Sequence, residues 1–542
     1  MIQSLSLKLT ATQAADDNAL KEEVAAAAGR KLSDISGYHI IKKSIDARGK
    51  IIYINLQVNA FINEPFIERA LTPFHFLDVN NATKSVIIIG AGPAGLFAAL
   101  KLLEAGIKPI LIERGKDVRS RRRDLAILNK EGIINPESNY CFGEGGAGTY
   151  SDGKLYTRSN KRGNIDRILS LFLHFGAAEN IRYDAHPHIG TNKLPQIITA
   201  MRQLIMDCGG EIHFEKKLVD FTQRENHITA IQTADGDSIS ADEYILATGH
   251  SARDVFILLH QKKLQVEAKP FALGVRIEHP QSLIDSIQYA HHASLKYERE
   301  EALPPSTYSL VQQVNDCGVF SFCMCPGGII APASTAPGEV VVNGWSPSKR
   351  NNPFANSGMV VQVEIKDAVK SLKGTKGLDG LESLGSLDED NPLLLLAFQQ
   401  MVEQKAFAEG GGKFVAPAQR MEDFVKGKIS TNLPTNSYLP GLKSTDLKNV
   451  LPQFIHSALA KALPLFGKKM RGYYTNEAVV IATESRTSSP VRIPRDKELL
   501  SHPQADNLYP CAEGAGYAGG IVSAAMDGER VAQSIIKKVF NL

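Results

Sequence analysis

Residues 85–115 read SVIIIGAGPAGLFAALKLLEAGIKPILIERG, and this stretch decides the fold. Its opening apolar run is typical of a buried parallel strand, and Gly90, Gly92 and Gly95 follow in the spacing G-x-G-x-x-G. The first glycine permits a tight turn, the second lets the backbone approach a pyrophosphate, and the third lets the helix pack on the strand. Glu113 ends the second strand, where an acidic side chain is expected to bind a ribose hydroxyl. The stretch therefore predicts a βαβ unit that binds a dinucleotide with its phosphates at the helix N-terminus.

The same glycine spacing occurs twice more, as GEGGAG at 143–148 and as GAGYAG at 514–519. The first of these follows a poor strand and precedes no helix, and the second is followed by too few residues for a complete βαβ unit. Only the match at 90–95 combines a strand, a helix, a second strand and a terminal acid. We therefore predict one dinucleotide site, at that match.

Two further segments resemble flavoprotein signatures. An apolar strand ends at Ala247–Thr248–Gly249, which resembles the ATG strand of FAD enzymes in the glutathione-reductase-like superfamily. Residues 507–535 (NLYPCAEGAGYAGGIVSAAMDGERVAQSI) resemble their second flavin signature, with Glu513–Gly514 in place of the usual Gly-Asp. The resemblance implies FAD, bound without a covalent link.

A narrower resemblance spans nearly the whole chain. Its motifs are CFGEGGAGTYSDGKLYTR (141–158), ATGHSARDVF (247–256), KPFALGVRIEHPQ (269–281), FCMCPGG (322–328) and ESRTSSPVRIPRD (484–496). Together they resemble a bacterial family of predicted FAD-dependent dehydrogenases, fumarate-reductase-like in topology and without an assigned substrate. The resemblance implies an FAD-dependent oxidoreductase that transfers a hydride between the flavin and a small molecule.

The motifs divide the chain into four segments. Residues 1–80 are predicted to form a small βαββ accessory domain, because an alternating strand, a helix and two further strands follow one another. The predicted fold is α/β, with a Rossmann-like FAD-binding domain split between 81–265 and 472–542. An inserted α+β substrate or cap domain occupies 266–471.

The predicted cofactor contacts fall in the glycine motif, the small-residue segment after Cys141 and the two flavin signatures. Small residues there permit close backbone approach to a cofactor. The predicted FAD-binding residues are Gly90, Gly92, Pro93, Ala94, Gly95, Glu113, Arg114, Gly143, Gly145, Gly146, Ala147, Ser151, Asp152, Lys154, Ala247, Thr248, Gly249, Glu513, Gly514, Gly519, Gly520 and Ile521.

Three residues are candidates for catalysis. Arg486 suits a carboxylate-bearing substrate, because guanidinium binds carboxylate with two hydrogen bonds; the alternative is a structural ion pair with Glu484. His188 is an acid–base or anion-contact candidate, against a structural histidine. Cys323, in CGVFSFCMC, is a substrate-facing thiol candidate, against an inert one.

No metal site is predicted. Cys317, Cys323 and Cys325 would lie on one face of a strand, whereas zinc prefers ligands on tight turns, and no second Cys or His pair follows at the usual spacing.

Composition limits the partners. Lys plus Arg number 61 against 58 Asp plus Glu, a net charge of +3, which argues against nucleic acid as the main partner. The basic run Arg119–Arg123 is interpreted as a solvated helix face. The chain shows no signal pattern and no apolar stretch that could span a bilayer, so a cytoplasmic protein without a membrane partner is expected.

The electron donor and the class of function stay open. No second Rossmann fingerprint occurs between about 260 and 470. The flavin could therefore be reduced in three ways: by NADH or NADPH bound without that fingerprint, by the substrate itself, or by a carrier protein. A flavin-dependent RNA-modifying enzyme and a non-catalytic flavin sensor or assembly factor are the alternatives to a small-molecule oxidoreductase.

Overall fold

The structure is a computed structural model that describes residues 1–156, 163–314, 317–373 and 386–541. Its N-terminal domain contains β1 (Ile2–Thr10), α1 (Ala11–Ala15), α2 (Asp17–Ala28), β2 (Ile35–Asp46) and β3 (Tyr53–Ile62). The strands pair antiparallel in the order β1-β3-β2, and alternate residues of β1 are buried beneath α2. Asp16 caps α2, and Gly29 ends it at a φ of 65°. The predicted βαββ unit is confirmed.

The domain predicted to bind FAD is built on a parallel sheet with the order β22-β10-β4-β5-β6. Its elements before the cap are β4 (Ser85–Ile89), α3 (Pro93–Glu104), β5 (Lys108–Ile112), α4 (Val118–Glu131), α5 (Ile165–His174), α6 (Leu194–Asp207), β6 (Glu211–His213), β7 (Leu218–Arg224), β8 (His227–Thr233), β9 (Ser238–Ile239), β10 (Glu243–Leu246) and α7 (Arg253–Gln261). The first motif therefore forms β4, α3 and β5, as predicted.

The cap is an α+β unit around a mostly antiparallel sheet with the order β13-β14-β17-β12-β20-β18-β19. Its elements are β11 (Glu267–Ala268), β12 (Phe271–Pro280), α8 (Gln281–Asp285), β13 (Val311–Val314), β14 (Cys317–Cys325), β15 (Ile329–Pro332), β16 (Val342–Trp345), β17 (Phe354–Val363), α9 (Ile365–Leu372), α10 (Leu394–Gly410), β18 (Ala416–Arg420), α11 (Met421–Lys426), β19 (Leu442–Ser444), α12 (Gln453–Lys469) and β20 (Val479–Glu484).

After the cap the chain returns to the FAD-binding domain through β21 (Val491–Arg492), β22 (Leu508–Pro510) and α13 (Ile521–Phe540). Strand β22 joins the parallel sheet beside β10, and α13 packs on α3. A Cβ on Gly528 would lie 2.1 Å from the Ala94 carbonyl oxygen, so only glycine permits this close helix contact. The FAD-binding domain is therefore split by the cap, as predicted.

The sheet topology contradicts the predicted domain boundary at residue 472. Strand β20 falls after that boundary, yet it lies inside the cap sheet between β12 and β18. The cap therefore extends through Glu484, because the apolar run of β20 is buried by cap strands rather than by the parallel sheet.

Both faces of the parallel sheet are covered. Val86 and Ile88 of β4 face the helices α3, α5, α6 and α13, whereas Ile87 and Ile89 face an apolar core that continues into the cap. This continuous core fixes the cap over the carboxyl ends of the parallel strands. None of the helices among the described residues combines the length and the apolar character that a bilayer span requires.

Candidate functional site

A cavity of about 450 Å³ lies where the carboxyl ends of β4, β5 and β10 meet the cap. This volume falls in the range of roughly 300–1,000 Å³ that is usual for small-molecule sites. The FAD-binding domain supplies most of the wall. The cap and the segment after it contribute Phe322, Cys323, Cys325, Asn343, Gly344, Arg486 and Thr487.

The three motif glycines serve different purposes. A Cβ on Gly90, whose φ is 111°, would lie 2.4 Å from the Ala247 carbonyl oxygen, and a Cβ on Gly95 would lie 2.0 Å from the Gly90 carbonyl oxygen. Both positions need glycine for the protein's own packing. A Cβ on Gly92 would approach protein atoms no closer than 3.8 Å, at Gly146 Cα. The protein's own packing therefore does not require glycine at position 92, and the space beside Gly92 is available to a ligand.

Two helix N-termini face the cavity. Helices α3 and α13 follow Gly92 and Gly520, which provide no side-chain cap, and Pro93, Ala94 and Ile521 line the cavity. The uncapped backbone N–H groups and the helix dipoles make both ends favourable for negative charge.

Glu113 connects the loops around the cavity. Its carboxylate accepts hydrogen bonds from the backbone N–H groups of Ala91 at 3.0 Å, Gly115 at 2.9 Å and Gly143 at 3.0 Å. The side chain lines the cavity and is only 6 % exposed. Glu113 therefore holds the glycine turn at 90–92 against the loop that begins at Gly143.

Most of the predicted cofactor residues line the cavity. These are Gly90, Gly92, Pro93, Ala94, Glu113, Arg114, Gly146, Ala147, Ser151, Asp152, Lys154, Ala247, Thr248, Gly249, Glu513, Gly519, Gly520 and Ile521. Gly95, Gly143, Gly145 and Gly514 do not line it. They support the wall instead, since a Cβ on Gly514 would lie 2.7 Å from the Gly249 carbonyl oxygen, and the Gly145 N–H donates to the Ala91 carbonyl.

The interpretation of the basic run as a solvated face is wrong for Arg121. This side chain is fully buried, and its guanidinium donates to backbone carbonyls of the loop at 139–146. Arg122 and Arg123 are exposed on the same helix, α4. The sequence shows the charges but not which of them points inward.

Arg486 is not available to hold a carboxylate substrate. Its guanidinium donates to Glu403 at 2.9 and 3.1 Å, to Glu339 at 3.2 Å and to the Thr335 hydroxyl at 2.7 Å. The alternative partner, Glu484, instead forms a buried ion pair with Arg276 at 2.8 Å. Arg486 lines the cavity as part of a structural ion cluster.

His188 does not line the cavity. Its Nε2 lies 3.3 Å from the Ser348 carbonyl oxygen, and burial together with the Arg350 guanidinium lowers the pKa of the imidazole. Arg350 in turn pairs with Asp152, a cavity residue. His188 thus lies behind the cavity wall rather than in it.

Cys323 faces the cavity from a bulge in β14. The pairing of β14 with β17 shifts register between Phe322 and Cys325, and Cys323 has a φ of 43°. The bulge interrupts the strand alternation, so Cys323 is exposed to the cavity whereas Cys325 is 1 % exposed. The regular strand that the sequence predicts is therefore interrupted at Cys323, although Cys323 and Cys325 both line the cavity.

The position of Cys323 deep in the protein raises the pKa of its thiol to about 11. We expect alkylation by iodoacetamide at pH 8 to be about a hundredfold slower than for a thiol with a pKa near 9, because only the thiolate reacts. The rate should rise about tenfold per pH unit up to pH 10. Mass spectrometry identifies the modified residue, with Cys323→Ser as the control. A rate that levels off below pH 9 would contradict the raised pKa of the Cys323 thiol.

The chain is similar to known protein families over most of its length. Residues 84–257 match the family model of pyridine nucleotide-disulphide oxidoreductases, and residues 270–487 match that of the FAD-dependent protein C-terminal domain. Residues 1–61 match a domain of unknown function. An uncharacterized protein of Clostridium beijerinckii is 38% identical over 96% of this chain and 96% of its own length. The chain belongs to a family of FAD-dependent oxidoreductases.

Solved structures that are similar to this chain include two enzyme-like proteins at low identity. The 2,6-dihydroxypyridine-3-hydroxylase of Arthrobacter nicotinovorans is 10% identical, with 84% of each chain covered and a TM-score of 0.36. A geranylgeranyl bacteriochlorophyll reductase-like protein of Thermoplasma acidophilum is 12% identical, with 84% of this chain and 79% of that chain covered and a TM-score of 0.33. Neither similarity is strong enough to transfer a reaction.

The cavity wall has open space and a hydrogen-bonding group where a dinucleotide would lie. Several wall positions are glycines beside open space, since a Cβ on Gly249, Gly519 or Gly520 would meet no atom within 4 Å. The Thr248 hydroxyl also lines the cavity and has no hydrogen-bond partner among the described residues. A buried hydroxyl without a partner is costly, and a bound ligand can supply the missing hydrogen bond.

Proposed function

We propose that the protein transfers a hydride between FAD and a small molecule that binds beneath the cap. One observation carries this proposal: a single cavity is lined by flavin-motif residues on one side and by the cap side chains Phe322, Cys323 and Asn343 on the other. A substrate in contact with those cap residues would lie against the flavin-binding wall. Neither nucleic acid nor a membrane forms part of this proposal.

The residues of the FAD-binding domain would hold the cofactor along the cavity. Gly92 and the N-terminus of α3 would receive the diphosphate, Glu113 would face the ribose, and the N-terminus of α13 would face the flavin end. When bound, FAD supplies a two-electron centre that accepts or donates a hydride. The protein contributes position, charge and the exclusion of water.

Lys154 and Cys323 are the polar groups that we propose for substrate contact. The Lys154 ammonium lies 3.7 Å from the Asp152 carboxylate and also donates to the Met324 carbonyl, so it is held at the cavity wall. Burial opposes ionisation of Asp152, but the charges of Arg350 and Lys154 and the hydrogen bond from Arg350 together outweigh it and lower the pKa of that carboxyl. The Cys323 thiol stays protonated at neutral pH and can donate a hydrogen bond or a proton. Lys154 takes the anion-contact role that Arg486 cannot fill.

Anaerobic visible spectroscopy tests the proposal. The purified protein, reconstituted with FAD, is titrated in turn with NADH and NADPH. Bleaching of the long-wavelength flavin band would identify a nicotinamide as the electron donor. An unbleached flavin spectrum would direct the search to oxidisable substrates or a carrier protein. A protein that binds no FAD after reconstitution would show that the proposal is wrong.

A further inference from the structure

Arg121, in helix α4, is a buried cation held by backbone carbonyls. Its Nε donates to the Asn139 carbonyl at 2.8 Å, and its Nη2 donates to the Tyr140 carbonyl at 3.0 Å. Its Nη1 donates to the carbonyls of Glu144 at 2.9 Å and Gly146 at 2.8 Å. Within the part of the chain that the structure describes, the guanidinium forms no ion pair with a carboxylate.

The carboxylates around Arg121 have other partners. Glu144 Oε2 accepts from Arg202 at 3.0 Å and from the Val118 N–H at 2.8 Å, and Glu113 accepts three backbone N–H groups. A buried charge is normally paired, because removing it from water is costly. Arg121 is therefore a buried cation without an ion-pair partner of its own among the described residues, which a bound anion nearby would stabilise.

The loop that Arg121 contacts also forms part of the cavity wall. Gly146, whose carbonyl accepts from Arg121, lines the cavity, and a Cβ on Gly146 would lie 3.2 Å from Gly92 Cα. One peptide unit thus separates the guanidinium from the glycine turn. The Coulomb interaction across this gap is weakly screened, since the intervening groups are protein rather than water.

We propose that Arg121 is a positioning residue for the cofactor diphosphate, which it attracts through the Gly146 peptide while it fixes the loop. The proposal rests on the proposed function, which places the diphosphate at Gly92. If Arg121 only held the loop in place, it would strengthen the binding of every ligand of this cavity equally. Its charge instead strengthens the binding of ligands that carry phosphate.

The experiment compares phosphate-bearing and phosphate-free ligands of the apoprotein. Dissociation constants for FAD, ADP and adenosine are measured by calorimetry on the native chain, on Arg121→Gln and on Arg121→Lys. We expect Arg121→Gln to weaken FAD and ADP by about tenfold and adenosine by less than about twofold, the energy of one screened charge interaction. Arg121→Lys should keep most of the preference for ADP over adenosine, because it keeps the charge.

Arg122→Gln is the matched control, because it removes an exposed charge from the same helix and should leave all three constants unchanged. Circular dichroism checks the fold of each variant. If Arg121→Gln does not fold, the second neutral variant Arg121→Met decides: a reduced preference for ADP over adenosine supports the proposal, and equal weakening of ADP and adenosine overturns it. Unchanged FAD binding by folded Arg121→Gln also overturns it. Failure of the native chain to bind FAD would refute the proposed function instead.

Discussion

Gly92→Val abolishes FAD retention and leaves the apoprotein folded. The backbone at Gly92 has a φ of −79° and a ψ of −175°, which valine adopts without strain. The nearest protein atom to a Cβ there is 3.8 Å away, so the valine methyl groups would enter the space that the diphosphate needs. We expect the FAD dissociation constant to rise by about a hundredfold or more, equivalent to about 3 kcal/mol. Flavin absorbance after gel filtration, together with calorimetry, measures the loss.

Gly49→Val is the matched control for this substitution. Gly49 is exposed in the N-terminal domain, and the nearest atom to its Cβ would be the Ile51 carbonyl oxygen at 3.8 Å. The same change there should leave the flavin content unaltered. Gly95 is unsuitable as a probe, because its substitution would disturb the strand–helix contact itself. Normal flavin content in folded Gly92→Val would refute the placement of the diphosphate.

The features that the sequence predicts well are those that depend on neighbouring residues. The glycine turn, the flanking strands and the helix all follow from a contiguous stretch, and Gly90 and Gly95 have the packing roles that their spacing indicates. The carboxyl ends of parallel strands meet at one edge, so the separate motifs at Ala247 and Glu513 converge on the same cavity.

The features that the sequence misses depend on partners distant in the chain. Arg486 contacts Glu403 and Glu339, and nothing near Arg486 indicates either partner. The apolar pattern of β20 predicts a buried strand but not the sheet that it joins. The bulge at Cys323 breaks an alternation that the residue types alone predict to be regular. In each case long-range packing decides among arrangements that local patterns leave equivalent.

Glu403 joins the cap to the FAD-binding domain. It lies on α10 of the cap and is fully buried. Its carboxylate accepts from Arg486 at 2.9 and 3.1 Å, from Arg253 at the start of α7, and from the Ser485 hydroxyl at 2.5 Å. Glu339 binds the same two arginines, so two carboxylates neutralise two guanidinium groups. Removing one carboxylate would leave a buried positive charge without compensation.

We therefore expect Glu403→Ala to lower the free energy of unfolding of the cap by about 3–5 kcal/mol. Trp345 is the only tryptophan of the chain and lies in β16, so its fluorescence during urea titration reports this transition. Glu422→Ala is the control, because Glu422 pairs with the exposed Lys426, where water screens the interaction, and its loss should change the unfolding transition far less.

The pH dependence provides a second test of the same cluster. Burial opposes ionisation of Glu403, but Arg253 and Arg486 outweigh it and lower the pKa of its carboxyl to about 2. A carboxyl whose pKa is lower in the folded protein stabilises the fold above its unfolded pKa, and this contribution disappears as the pH falls toward 2. Native protein and Glu403→Ala should therefore differ most at neutral pH and converge on acidification. A difference that is constant from pH 7 to pH 3 would show that Glu403 acts through packing rather than charge.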